Sequence, residues 1–209
     1  LYSIVDVDSD SGHDLDDCVQ LFKALIDENA AVYADHNLAR VFAHPRHERF
    51  WFYTDSSECN STEQVQIPCK SLPPNGCLLL ARETTVPTSV TPSSSPAGTL
   101  RLSRYNSAST ADAHICHIGG LYVAPAHRRR GLSTQLMQAA LQKATQYGYT
   151  LCRLETGERQ DHAIAFYSKI GFISTSVADL GPESRPQDGE LCLEMGVAAA
   201  LQSLEMMLR

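Results

Sequence analysis

The sequence predicts an α/β fold, a sheet flanked by helices, and three stretches of its 209 residues carry that prediction. From His114 to Leu136, a β-branched and aliphatic run, Ile115 to Val123, stops at Pro125, and a basic loop then opens a helix behind Gly131. From Tyr149 to Ile170, a second strand is followed by a second, shorter helix. Finally, Phe172 to Val177 and Glu190 to Met195 read as strands on either side of a Pro/Gly-rich loop, which suits an antiparallel pair. The length fits a single domain, residues 1–209, and allows a substantial core.

The elements follow in order. The opening L-Y-S-I-V-D-V-D is a first strand, and the chain then runs acidic through S-D-S-G-H-D-L-D-D. From Leu15 the apolar residues Cys18, Val19, Phe22, Leu25 and Ile26 recur at helical spacing, with Asp14, Asp16 and Asp17 at the end of the dipole that favours anions. The stretch from Ala39 to Tyr53 holds the only tryptophan, Trp51. After Pro73, Pro74 and Gly76, C-L-L-L-A-R-E reads as a strand and G-T-L-R-L-S-R from Gly98 as its partner. Between them residues 84–97 are Ser, Thr and Pro without periodicity, a flexible insertion at a hairpin tip.

Behind Gly131, Leu132, Leu136, Met137, Ala140, Leu141, Ala144 and Tyr147 keep helical spacing, and Gly148 can take the left-handed stop. Tyr149 to Thr156 is a strand, and Ala163 to Ile170 is a helix stopped by Gly171. The tail, residues 198–209, is helical by propensity, with Leu201, Leu204, Met207 and Leu208 on one side. That side packs either on the domain or on a partner, a homodimer included.

Composition narrows the function classes. A formal charge of −7 argues against a general nucleic-acid binder and is compatible with a cationic acceptor. No apolar run is long enough to cross a bilayer, so no membrane partner is expected. Seven cysteines form no C-x-x-C pair, and several lie in apolar runs, which favours a reduced, cytoplasmic setting.

The order strand, basic loop, helix is a device for holding phosphate. The first amides of a helix lack partners within it and carry the positive end of its dipole. Arg128, Arg129 and Arg130 add fixed charge, Gly131 lets the backbone approach a ligand, and Ser133 is small and able to cap the helix.

The run P-x-x-R-R-R-G-L-S-T-Q-L resembles motif A of the GNAT superfamily of N-acetyltransferases: Arg or Gln, two residues, Gly, one residue, then Gly or Ala. Arg128, Gly131 and Ser133 fall on those three positions, with Ser133 a small departure. Further on, L-E-T-G-E-R-Q-D-H-A-I-A-F-Y-S-K-I-G-F, from Leu154 to Phe172, resembles the strand and helix that close the same fold. The likeness covers residues 75–197, with residues 1–74 divergent.

The resemblance implies the GNAT acyl-CoA N-acyltransferase fold, a mixed, mostly antiparallel sheet flanked by helices. It implies acetyl-CoA as cosubstrate and a primary amine of a small molecule or protein as acceptor. The pyrophosphate is expected on amides from Arg129 to Thr134, Leu132 among them. Leu121, Tyr122 and Val123 match the positions where the central strand splays from its neighbour and offers backbone groups to the pantetheine arm and the acetyl carbonyl. One amide donor there contributes about 3 kcal/mol as an oxyanion stabiliser. Gln160 stands where the family often has a cofactor-contacting Asn. The aromatics around Trp51 fall where the family builds a wall of the acceptor site.

Tyr167 matches the family's tyrosine that reaches the coenzyme sulfur, which makes it the proton donor to the thiolate. His117 occupies the place where many members carry a Glu base, and an imidazole ordinarily titrates near neutrality. By strand alternation His117 shares a face with Gly119 and Leu121. Glu155 is the reserve base.

Three other readings compete. Asp8, Asp10, Gly12 and Asp14 resemble the D-x-D-x-G-x-D cluster of nucleoside hydrolases and approximate a calcium loop. Gly12 is nonetheless one place late for an EF-hand counted from Asp6, and Leu15 replaces the second Asp of the hydrolase ending, so a helix start with solvated acids is preferred and no metal is expected. His114, Cys116 and His117 alternate across a strand and cannot converge on one zinc. The third alternative is an acetyl-CoA-binding or interaction module that keeps the fold without the chemistry.

Overall fold

The strand predicted from Ile115 to Val123 forms over those residues and lies at the centre of the sheet. The computed structural model describes residues 1–7, 12–32, 73–84, 95–105, 110–175 and 190–209. Along the chain run β1 (Tyr2–Asp6), α1 (Gly12–Val32), β2 (Cys77–Glu83), β3 (Pro96–Arg104) and β4 (Ile115–Val123). A 3-10 turn (Pro125–His127) leads into α2 (Leu132–Gln146), β5 (Leu151–Gly157), α3 (Asp161–Ile170), β6 (Ile173–Ser174), β7 (Glu190–Gly196) and α4 (Val197–Met207). The described strands make one sheet in the order β1-β2-β3-β4-β5-β7-β6. Among the described strands only β4 and β5 pair in parallel, which requires a crossover between them, and α2 is that crossover.

Alternation along the strands makes two cores. On one face Cys116, Ile118, Cys152 and Leu154 meet Leu132, Leu136, Met137, Ala140, Leu141 and Ala144 of α2. Each large aliphatic side chain buried there contributes about 1.5–3 kcal/mol. Val197, Ala200 and Leu204 of α4 join this core, so the tail packs on its own sheet. On the other face Leu15, Cys18, Leu21 and Phe22 of α1 cover Leu78, Leu80 and Tyr122. Among the described residues no helix is long and apolar enough to cross a membrane.

The structure moves several predicted boundaries. β3 begins at Pro96, so the last two residues expected in the insertion are sheet: Ala97 is fully buried and its carbonyl accepts the Ala124 amide at 2.9 Å. Pro96 is tolerated as the first residue of a strand. β5 begins at Leu151, because the Tyr149 amide is used on Ala144 at 2.9 Å to close α2. α3 starts at Asp161 rather than Ala163. Residues 85–94, the aromatic stretch around Trp51, Cys59, Cys69, Asp8 and Asp10 lie outside the described residues.

One irregularity shapes the centre of the sheet. Arg101 pairs with Gly119 but Thr99 pairs with Tyr122, so β4 carries one residue more than β3 over that span, a bulge. Gly120, at φ 61°, is the residue in the left-handed region. A Cβ placed there would lie 1.7 Å from Cε1 of Phe22 on α1. Gly120→Ala therefore combines backbone strain with displacement of a buried ring. It is expected to cost about 2 kcal/mol or more in a urea denaturation experiment.

Candidate active site

The bulge decides which side chains face one another. His117 and Gly119 share the face covered by α1, but beyond Gly120 the alternation is inverted. Leu121 packs with the α2 core and Tyr122 with α1. The expectation that Leu121 shares the face of His117 is therefore corrected, because an extra residue flips the period-2 pattern.

β4 and β5 also part company. Their ladder joins Ile115, Cys116 and His117 to Leu151, Cys152 and Arg153 and goes no further among the described residues. β4 continues to Val123 on β3, and β5 continues to Gly157 on β7. The result is a split in the sheet, with Ile118–Val123 along one lip and Leu154–Gly157 along the other.

At the end of the first lip the chain turns into α2. Arg129 has φ 62° and Gly131, the N-cap residue of α2, has φ 76°. Among the described residues, no acceptor takes the amides from Arg129 to Thr134, and the helix start has no side-chain cap. Ser133 thus lies inside the first turn and does not cap. The side chains of Leu132 and Thr134 are buried, so these two residues offer only their amides. A Cβ at Gly131 would meet nothing within 4 Å, which leaves the approach to the turn open.

Two of the three arginines are already engaged. Arg128 donates from Nε to the Val123 carbonyl at 2.8 Å and from Nη2 to both carboxylate oxygens of Glu28 at 2.7 Å. Arg130 donates to Glu83 at 3.1 Å. Arg129 is exposed and has no ion-pair partner among the described residues. Gln160 is also committed: Thr156 Oγ1 and the Gly157 amide donate to its Oε1 at 2.8 and 3.0 Å, and its Nε2 donates to Asn29. It braces the second lip rather than standing free.

On the α1 face, β4 and β5 bring the two candidate bases together: His117 Nε2 and Glu155 Oε2 are in close hydrogen-bond contact, an ion pair only when His117 is protonated. Burial would raise the Glu155 pKa, but the charge and hydrogen bond of His117, with the charge of Arg101, hold it below the usual carboxylate range. Arg101 is 2% exposed, and burial lowers its pKa to about 9 against the opposing pull of Glu155. The Tyr105 ring lies 6.3 Å from that of His117 and carries the Arg153 guanidinium 5.0 Å from its centroid. Arg153 in turn donates to Glu194 at 2.9 Å.

Tyr167 belongs to the opposite face. It is buried in the α2 core, with Phe166 and Phe172 at ring distances of 5.4 and 5.8 Å. Burial pushes its pKa well up, so the phenol stays protonated. The acid and base candidates therefore stand on the two sides of the sheet, with the split between them.

Glu28 and Arg101 were not singled out from the sequence. Glu28 lies near the C-terminal end of α1, where the dipole disfavours an acid, and that misplacement is the available sign of a cation brought from elsewhere. Asp14 and Asp17 both accept from Nη2 of Arg82 at 2.5 Å, so one guanidinium offsets part of the charge of two carboxylates; Asp8 and Asp10 lie outside the described residues. Cys116 is fully buried on the face away from His117.

Comparison with known proteins finds the same fold. A GNAT acetyltransferase from Staphylococcus aureus Mu50 superposes with a TM-score of 0.59 at 14% identity, over 94% of this chain and 99% of that one. The Salmonella typhimurium protein yncA, a candidate acetyltransferase solved with its cofactor acetyl-CoA, gives 0.56 at 14% identity over 94% of each chain. The uncharacterized N-acetyltransferase YjgM of Escherichia coli K12 is 36% identical over 62 residues, spanning 30% of this chain and 37% of that protein. The model of the acetyltransferase (GNAT) family matches residues 44–172, and the chain belongs to that family.

Proposed function

We propose that the protein is an N-acetyltransferase that moves an acetyl group from acetyl-CoA to a primary amine, within a single domain. The observation that carries this reading is the turn from Arg129 to Thr134, six successive amides without acceptors among the described residues, opening at the end of a split in the sheet. The donor set fits a pyrophosphate: it consists of amides, a helix dipole and a cationic residue, with Gly131 leaving room for approach. Acetyl-CoA supplies the activated acyl group.

Each residue then has a task. The amides of the turn bind the diphosphate, and the lip formed by Leu121, Tyr122 and Val123 aligns the pantetheine arm and polarises the carbonyl. On the α1 face the His117–Glu155 pair takes the proton from the acceptor ammonium. His117 is the group that accepts it, and Glu155, ionised across the neutral range, orients the ring and balances the charge that forms. On the α2 face the protonated phenol of Tyr167 donates to the thiolate. Gln160 positions the second lip and the start of α3.

The reading is tested by incubating the protein with acetyl-CoA and a panel of amines, from polyamines to peptides with free N-termini, and following free thiol. Amine-dependent thiol release supports transfer. Coenzyme binding with no release on any member of the panel supports a retained fold without chemistry.

A further inference from the structure

One helix holds both lips of the split. Glu28, in the last turns of α1, accepts from Nη2 of Arg128 at 2.7 Å through both oxygens and from the Tyr122 hydroxyl at 2.7 Å, so it grips the β4 lip. Burial and the Glu28 hydrogen bond push the Tyr122 pKa up to about 12, which keeps that phenol a donor. Its neighbour Asn29 accepts from Gln160, which is bonded to Thr156 and Gly157 at the end of the β5 lip. α1 thereby straps the mouth of the split.

We propose that Glu28 is a resident competitor for the coenzyme phosphate at Arg128, so that coenzyme binding unlatches α1 from the β4 lip. The inference rests on the coenzyme reading above. The Arg128 Nη2 that meets both oxygens of Glu28 cannot turn the same N–H groups toward a phosphate. The pair is about two-fifths exposed on each side, so solvent screens it and a dianionic phosphate can displace it. Arg128 is held in place for the exchange, because its Nε stays on the Val123 carbonyl. Glu28 is therefore a positioning residue that sets coenzyme affinity, and the strap links the coenzyme site to the helix covering the His117 face.

The test is calorimetric titration of coenzyme A into four proteins: wild type, Glu28→Gln, Arg128→Ala and the double variant. Gln keeps an acceptor for Tyr122 and Arg128 while removing the charge. Glu28→Gln is expected to tighten binding about two- to fivefold, the size of an exposed ion pair, and to have no effect in the Arg128→Ala background. Unchanged or weaker binding by Glu28→Gln, with wild type binding normally, overturns the inference alone. Equal tightening with and without Arg128 also overturns it, since the effect would then be general charge. Absence of binding by the wild type overturns the coenzyme reading and this inference with it.

Discussion

Gly131→Glu is expected to abolish measurable acetyl-CoA binding while the chain remains folded. Gly131 has φ 76° and opens α2, and its position is clear of other atoms, so a side chain there reaches outward rather than into the core. Two costs fall on the ligand site. A carboxylate replaces empty space where the diphosphate is proposed to lie, and its charge opposes the anion at the positive end of the helix. The left-handed backbone adds about 1–2 kcal/mol of strain. The expectation is a loss of roughly a hundredfold or more in affinity, since two charges brought within a few ångströms cost several kcal/mol at an interfacial dielectric. Calorimetry reads the affinity and circular dichroism the fold. Retained affinity in a folded variant removes the turn from the coenzyme site.

Tyr167→Phe and His117→Ala are expected to lower kcat by about a hundredfold or more each, the usual worth of a positioned acid or base. Coenzyme affinity should change little in the tyrosine variant, because the phenol is proposed to act on the leaving thiolate rather than on the bound ground state. The two can fail separately, because the residues occupy opposite faces of the sheet. Exogenous imidazole should restore part of the rate lost in His117→Ala. If it restores nothing, the base is Glu155, an ordered water or the amine itself. A fully active tyrosine variant removes Tyr167 from the proton path.

The His117–Glu155 pair also bears on stability. The folded-state pKa of Glu155 is depressed, so its contribution is present above its unfolded value of about 4.3 and fades as pH falls through the lower folded value. Glu155→Gln should flatten that acid-side loss in a pH series of thermal melts.

Much of this was legible because local chemistry and tertiary demand agree. The run from Ile115 to Val123 is apolar enough for a central strand, and α2 carries its apolar residues on one face, so both appear where the periodicity puts them. Gly148 and Gly171 stop their helices with φ 82° and 112°. The bulge was not legible, since a period-2 reading of β4 has no means of choosing which residue is the extra one, and the pair Gly119-Gly120 is its only mark. Arg101 alternates with Leu100 and Leu102 and reads as solvent-facing, yet it is buried on the face of the sheet that α1 partly covers. Glu28 and Asn29 depend on partners about a hundred residues or more away in sequence, Arg128 and Gln160, which no local pattern announces. His117 and Glu155 were weighed as rivals, and only the parallel register of β4 and β5 makes them one pair.

The central claim is that coenzyme binds along the split and on the amides of the turn after β4. Amide hydrogen exchange, followed by mass spectrometry with and without acetyl-CoA, reads those amides directly. In the free protein the amides from Arg129 to Thr134 have no acceptor among the described residues and should exchange rapidly. With acetyl-CoA present, strong protection is predicted there and along Ile118–Val123, with the strands at the sheet edges unchanged. Protection confined to other segments, with the turn still exchanging rapidly, would contradict the account.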